Sequence, residues 1–241
     1  MDKVNPTGTG YFSLNRKTDH TPGTNSVAVG NQTKASGTAS FAEGNTTIAS
    51  GEGAHTEGYN TTASGAYSHA EGYGSEAIQS YAHAEGAYTT ASGYRSHAEG
   101  HDTTASGNNS HAEGSHTEAS GKYSHTEGSN TIASGESSHA EGYGTKASHK
   151  AQHVEGEYNI ADTSTATADA RGTYVHIVGN GTSDTARSNA LTLTWGGDLW
   201  HSGRLFHGNK VSAEGSYSYS GGSETSALGN YSHAEGVKTV A

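Results

Sequence analysis

The chain has 241 residues, with 24 Asp or Glu against 13 Lys or Arg, a formal net charge of −11 and no Cys. Leu, Ile, Val and Phe together number only 23, which excludes a globular enzyme domain built on large aliphatic side chains and leaves disorder, a fibre or a repeat array. The acidic balance argues against nucleic-acid binding through phosphates, the lack of Cys excludes a disulfide framework, and no apolar run reaches the roughly 18 residues of a membrane span.

The chain opens with a predicted lead-in segment, residues 1–24. Its stretch Tyr11-Phe-Ser-Leu14 is typical of a short strand. We expect this segment to cap the first coil of the repeat that follows, or to continue from an upstream part of a fibre.

Ten units of fourteen residues follow one another without a gap over residues 25–164. A typical unit is RSHAEGHDTTASGN, residues 95–108. The sixth position is Gly in all ten units, from Gly30 to Gly156, the eleventh is Ala in all ten, and the thirteenth is Gly in seven. Self-similarity at a fixed period indicates a repeat architecture.

Each unit is predicted to form one coil of a parallel β-solenoid, or β-roll, because two short alternating segments are separated by Gly and no helical period is present. The strands cover positions two to five and nine to twelve. Alternate side chains of a strand share a face, so Ser, Ala and Thr at positions two, four, nine and eleven line a narrow interior. Such a coil buries too little apolar surface to offset the entropy of ordering its chain, so lateral association into an oligomer is expected.

Positions three and five point away from this interior and form two columns. Position three holds His55, His69, His83, His97, His111, His125, His139 and His153, and position five holds Glu57, Glu71, Glu85, Glu99, Glu113, Glu127, Glu141 and Glu155. At the N-terminal end the same positions hold Val27, Val29 and Phe41. A face that accepts two Val and a Phe is predicted to be buried against a neighbouring subunit.

The columns allow three chemical interpretations. The favoured one is an interface ladder, in which imidazole N–H groups satisfy carboxylates that would otherwise repel by roughly 1 kcal/mol in water. The alternative is a divalent metal held by His83, Glu85, His97 and Glu99; otherwise no metal site is predicted. Ser-His-x-Glu contains the residue types of a hydrolase triad, but Ser faces inward while His and Glu face outward, so no catalytic residue is predicted.

Aromatic residues mark possible contact surfaces. Tyr59, Tyr73 and Tyr143 lie at predicted turns, where they either cover the edge of the coil or contact a glycan or receptor. Trp195 and Trp200 lie in an interruption of the repeat and are also possible surface contacts.

That interruption covers residues 165–216 and holds four of the six Leu. Its segments 174–178, 191–195 and 199–206 predict strands joined by GNG and GGD turns. We expect a β-meander insertion that braces the fibre or presents a binding surface. The repeats are predicted to resume over residues 217–241, where the last unit stops short.

The stretch NSVAVG, residues 25–30, resembles the head repeat of the YadA-like trimeric autotransporter adhesins, and the resemblance covers residues 25–164 and 217–241. It implies left-handed parallel β-rolls that trimerise side by side through the His and Glu face. The SHAEG variant, with GTYVHIVGNG at 172–181 and ARSNA at 186–190, also resembles tail or minor structural proteins of phages and prophages from Gram-positive hosts. Nothing in these residues matches the coiled-coil stalk or anchoring barrel of an autotransporter.

The sequence therefore predicts an all-β, homotrimeric solenoid fibre that is not an enzyme and needs no cofactor. The expected setting is a phage or prophage tail fibre involved in host-surface attachment, and the alternative is a bacterial cell-surface trimeric adhesin. Expected partners are two further copies of the chain and a host glycan or protein receptor, without nucleic acid and without membrane insertion of this segment. Either setting is extracellular.

Overall fold

The computed structural model describes residues 21–203 and 218–241, and the backbone of residues 12–14, 205–209 and 212–213. These residues form strands and turns of an all-β parallel solenoid, as predicted. No helix in the described part of the chain is long and apolar enough to span a bilayer. Residues 1–11 and 15–20 of the predicted lead-in segment lie outside the described residues, whereas its expected strand is present at Phe12–Leu14.

The strands belong to four sheets. The first strands of the coils, the lead-in strand and the meander form a 14-stranded sheet, which contains β1 (Phe12–Leu14), β2 (Val27–Asn31), β4 (Phe41–Asn45), β6 (His55–Thr56), β8 (His69–Tyr73), β10 (His83–Ala87), β12 (His97–His101), β14 (His111–Ala112), β16 (His125–Thr126), β18 (His139–Ala140), β20 (His153–Glu157), β21 (Tyr174–Asn180), β22 (Asn189–Thr194) and β23 (Leu199–His201). The second strands form a 9-stranded sheet, which contains β3 (Lys34–Ala35), β5 (Ile48–Ala49), β7 (Thr62–Ala63), β9 (Glu76–Ala77), β11 (Thr90–Ala91), β13 (Thr104–Ala105), β15 (Glu118–Ala119), β17 (Ile132–Ala133) and β19 (Lys146–Ala147). Two smaller sheets contain β24 (Leu205–Asn209), β26 (Tyr219–Ser223) and β28 (His233–Val237), and β25 (Ser212–Ala213) and β27 (Ser226–Ala227).

Successive coils stack in parallel with a register of fourteen residues. His83 lies opposite His97 in the large sheet, and Ala91 lies opposite Ala105 in the other. Equivalent positions of successive units therefore lie on one another, so a column in the sequence is also a column in space.

The interior is narrow and built from small side chains, as predicted. Ala98 and Ala105 are completely buried, and Ser96 and Thr103 lie beside them inside the coil. The Ser96 hydroxyl donates a hydrogen bond to the Gly93 carbonyl at 2.8 Å, a contact that recurs at the second position of other coils. By contrast, the hydroxyls of several buried Thr at position nine have no hydrogen-bond partner among the described residues; these are Thr33, Thr47, Thr89, Thr103, Thr117 and Thr131.

The Gly column at position six is required by both conformation and space. Gly128 has a φ of +95°, and a Cβ placed there would lie 2.2 Å from the carbonyl oxygen of Gly142 in the next coil. Positions one and eight also adopt positive φ, although they hold larger residues such as Arg95 (φ 55°) and Asp102 (φ 56°). The sequence did not predict the positive φ at positions one and eight, because the residue types at these positions vary.

The second sheet ends one coil earlier than the repeat pattern predicts. In the tenth unit, the expected second strand at 159–162 does not form; the Asn159 side chain instead bonds both backbone groups of Lys146, at 2.8 and 3.1 Å. The Asp162 carboxylate then accepts the backbone N–H groups of Ser164, Thr173 and Tyr174. Burial opposes ionisation of Asp162, but these three donors hold its pKa below the usual value. A buried polar cluster thus closes the second sheet.

The interruption is a meander, as predicted, but it extends the large sheet and ends early. β21 stacks in parallel on β20, with His153 opposite His176, and then pairs antiparallel with β22, which pairs with β23. Solenoid stacking resumes at Leu205, which pairs with Tyr219 fourteen residues later, rather than at 217. Gly208, Ala213 and Gly215 match positions six, eleven and thirteen of the repeat. The match was overlooked because Leu205 and Phe206 occupy positions three and four, which hold His and Ala in a typical unit.

Replacing a column Gly by Ala will separate the clash from the conformational strain. Gly128→Ala places a methyl group against the next coil, whereas Gly197→Ala has a similar φ of +91° and nothing within 4 Å. Both variants carry the strain of a positive φ, and we expect Gly128→Ala to lose about 1–3 kcal/mol more of unfolding free energy because of overpacking. Urea unfolding followed by circular dichroism measures both. Equal losses would show that stacking tolerates a methyl group in this column.

Candidate functional site

The outer face of the large sheet carries the predicted His and Glu columns, here called the His/Glu face. It consists of positions three and five of the coils from β2 to β20. The His rings stack nearly parallel along the axis, with centroids 4.6–5.0 Å apart and interplanar angles of 2–13°. The stack begins where Phe41 meets His55 edge to face at 5.1 Å and extends beyond the predicted column to His176.

His176 was missed because the sequence assigned it to the insertion. In HIVG, residues 176–179, the His and the Gly have the same spacing as in HVEG, residues 153–156, and this spacing was the available signal. Its Nε2 atom lies 3.2 Å from Glu155 Oε1.

The two columns approach each other between coils. The distance from His Nε2 to a Glu oxygen of the preceding coil is 4.0 Å for His83 and Glu71, 3.7 Å for His111 and Glu99, and 3.2 Å for His153 and Glu141. Within the described residues, a column His bonds a column Glu at hydrogen-bond geometry only in the last of these pairs. Most of the other column His have a buried Nε2 atom with no hydrogen-bond partner in the described part of the chain. These residues are His55, His69, His83, His97, His111, His125, His139 and His176.

Glu71, within the Glu column, is held toward its protonated form. Hydrogen bonds from Glu71 to Glu57 and Glu85 raise the pKa of Glu71 to about 7, while the hydrogen bond from Glu71 holds the pKa of Glu57 below its usual value. Glu141 has the same effect on the pKa of Glu127. Because these groups interact, the titration belongs to the column rather than to one residue.

Three His of the column are held toward the neutral form. Burial lowers the pKa of His69, His97 and His125, and the neighbouring His of the stack lower it further. Burial and stacking against like rings thus favour the uncharged form of these three imidazoles.

An open groove of about 1180 Å³ runs along this face. Positions five and six of consecutive coils line it, from Val29 and Gly30 to Glu127 and Gly128. The predicted apolar end, formed by Val27, Val29 and Phe41, is half-buried in the single chain. The Ser of each SHAEG segment lies on the other side of the strand, inside the coil, so the structure does not bring a Ser, His and Glu together there.

The Tyr residues predicted at turns are exposed. Tyr59, Tyr73 and Tyr143 are between 43% and 47% exposed; the first two stack at 5.1 Å, and Tyr143 meets Tyr158 edge to face. Trp200 is 67% exposed on β23. Trp195 is half-buried, and the Arg171 guanidinium lies 4.2 Å above its ring.

The geometry defines a repetitive β-solenoid fibre whose coils differ little in their outer columns. The family model of the YadA head domain repeat matches residues 22–46, 42–68, 84–110 and 98–124. The chain therefore contains YadA head domain repeats, as the sequence predicted. Heads of this family are extracellular surface structures. No curated protein matches the chain.

Removing the shared proton of the Glu column will change the pH dependence of stability. Between about pH 4.5 and 7 the folded chain holds a proton on Glu71 that the unfolded chain releases, so this residue lowers stability as the pH rises through that window. Glu71→Gln stays neutral at any pH. We expect the stability of the variant relative to wild type to rise over this window, as measured by thermal unfolding. Glu76→Gln, on the other sheet, controls for net charge, and coincident profiles of Glu71→Gln and Glu76→Gln would contradict the assignment.

Proposed function

We propose that this chain is a segment of a homotrimeric attachment fibre in which the His/Glu face of each chain is buried against two other copies. The observation that carries the proposal is the row of buried Nε2 atoms without partners on this face. A buried polar atom without a partner costs about 1–3 kcal/mol, so a neighbouring chain that supplies partners would stabilise the fibre.

Two further features support burial of this face. The half-buried Val27, Val29 and Phe41 continue the columns at one end, and apolar side chains gain from contact with another chain. The interior from β2 to β18 contains only small side chains, with Thr hydroxyls that lack partners among the described residues, so these coils have little stability of their own to offset chain entropy.

Replacing the columns will test the trimer. Three chains of 24.7 kDa give a particle of about 74 kDa. We expect the wild type to have this mass by light scattering, and we expect chains with His83, His97 and His111, or Glu85, Glu99 and Glu113, changed to Ala to dissociate or to melt at lower temperature. His101→Ala with His116→Ala, at a corner of the coil, is the control. A column variant that remains an equally heat-stable trimer would overturn the proposal.

We propose a phage or prophage tail fibre as the setting, because the SHAEG variant and the segment at 172–181 resemble tail proteins of phages from Gram-positive hosts. A bacterial cell-surface trimeric adhesin that binds host matrix or glycan is the second candidate, favoured by the YadA head domain repeats. Neighbouring genes separate the two: tail and lysis genes support the first, and a surface-anchor domain downstream of Ala241 supports the second.

Host contact is assigned to the exposed aromatic corner at positions seven and eight, together with the meander. Tyr59, Tyr73 and Tyr143 present amphipathic rings at this corner, and Trp200 presents a larger one on β23. Exposed Tyr and Trp are enriched where proteins bind glycans and other proteins, because one ring gives both apolar contact and a hydrogen bond.

The role of this corner in binding can be tested by comparison with the opposite corner of the coil. We expect Tyr59, Tyr73 and Tyr143 changed together to Ala to weaken binding to intact Gram-positive cells by about tenfold or more, the loss typical of a contact hot spot. Tyr67, Tyr81 and Tyr123, which are 50–52% exposed at the other corner, are changed in the control. Binding of the labelled protein is followed by flow cytometry. Equal loss in both variants, or none in either, would remove the corner from the binding surface.

A further inference from the structure

We propose that the His/Glu face binds a divalent transition-metal ion between coils, held by His83, Glu85 and His97 or, as an exclusive alternative, by His97, Glu99 and His111. In each set one ligand atom per residue can be chosen so that all three lie within 4.8 Å of one another. The structure thereby strengthens the metal alternative that the sequence left open.

The distances within these sets fit a shared ion better than direct hydrogen bonds. His83 Nε2 lies 3.8 Å from Glu85 Oε2, His97 Nε2 lies 3.9 Å from Glu99 Oε2, and His111 Nε2 lies 3.7 Å from Glu99 Oε1. These separations are too long for hydrogen bonds. Two ligands about 2.1 Å from a tetrahedral ion lie about 3.4 Å apart. The two rings of each set are stacked nearly parallel, so binding requires the rings to rotate out of the stack until both Nε2 lone pairs point at the ion.

The unpartnered nitrogen atoms are a separate observation. The Nε2 atoms of His83, His97 and His111 are buried and have no hydrogen-bond partner in the described residues, although about a third of each side chain stays exposed. A neutral imidazole that keeps its proton on Nδ1 offers a lone pair at Nε2. Within one chain these nitrogen atoms are thus unpartnered, and they lie beside Glu85 and Glu99, whose side chains line the groove.

The donor set indicates the class of ion. Two imidazoles and one carboxylate suit Zn²⁺, Co²⁺, Ni²⁺ or Cu²⁺, whereas Ca²⁺ and Mg²⁺ prefer oxygen ligands. Three protein ligands leave a fourth position for water or another ligand. The remaining clusters on this face contain two Glu and only one His, for example Glu127, His139 and Glu141, and should hold these ions less tightly.

His97 belongs to both sets, and one Nε2 lone pair serves one ion. The two sets therefore hold one ion per chain between them, and they predict an unusual mutational pattern. Loss of His83 leaves the set with Glu99 and His111 intact, and loss of His111 leaves the set with His83 and Glu85 intact. Only loss of His97, or of His83 and His111 together, removes both.

Zinc content per chain tests this pattern. Wild type, His83→Ala, His111→Ala, His97→Ala and the double variant His83→Ala with His111→Ala are dialysed against buffered ZnCl₂ and analysed by elemental mass spectrometry. We expect the two outer single variants to keep the zinc content of wild type, and His97→Ala and the double variant to lose one ion per chain. His101→Ala, a His at a corner of the coil, should match wild type, and CaCl₂ should not replace zinc.

Circular dichroism and solution mass are recorded for every sample. All three ligands come from one chain, so the site does not depend on the proposed trimer, and a variant that dissociates but keeps its zinc would affect only the trimer. Equal zinc content in wild type and His97→Ala would overturn the metal site. Loss of zinc in His83→Ala alone, with folding intact, would overturn the shared role of His97.

Discussion

One constraint organises this chain: each coil lies on a near-copy of itself, in parallel and in register every fourteen residues. A residue therefore meets its own equivalent about 4.8 Å above and below. Only side chains that tolerate their own copies can form a long column. Ala fits inside the coil, Gly fits where the backbones touch, and flat rings fit outside by stacking. The low content of large aliphatic residues follows from this geometry rather than from an inability to fold.

The same constraint creates a problem for ionisable residues, since a column of carboxylates repels itself. The chain lowers the repulsion by sharing protons, which raises the pKa of Glu71 to about 7 and lowers the pKa of Glu57. Burial, followed by the charge interaction with His83 and His111, in turn lowers the pKa of His97. The proton that Glu71 retains and the imidazoles that stay uncharged lower the desolvation cost of burying this face against another chain.

The repeating part of the fold could be predicted from the sequence because it depends only on the period and on the alternation of side chains along a strand. This logic placed Ala98 inside the coil and His97 outside. The same logic failed at features that occur only once in the chain. Leu205 concealed the return of the register, and His176 extended the His column from within the meander. The positive φ values at Arg95 and Asp102 follow from the shape of the turn, which constrains the backbone but leaves the side chain free.

A stack of like coils has no internal reason to stop, so its ends need different chemistry. At the end of the second sheet, the Asn159 amide takes the place of the next strand, and Asp162 collects backbone donors from the following segment. The large sheet continues there through β21, and Ile177 and Val154 form a small cluster of larger apolar side chains at that step. Large side chains thus appear where register no longer supplies the packing. The coils are specified by their repetition, and the meander joins them at the β20–β21 step, so substitutions in one should affect the other mainly through this contact.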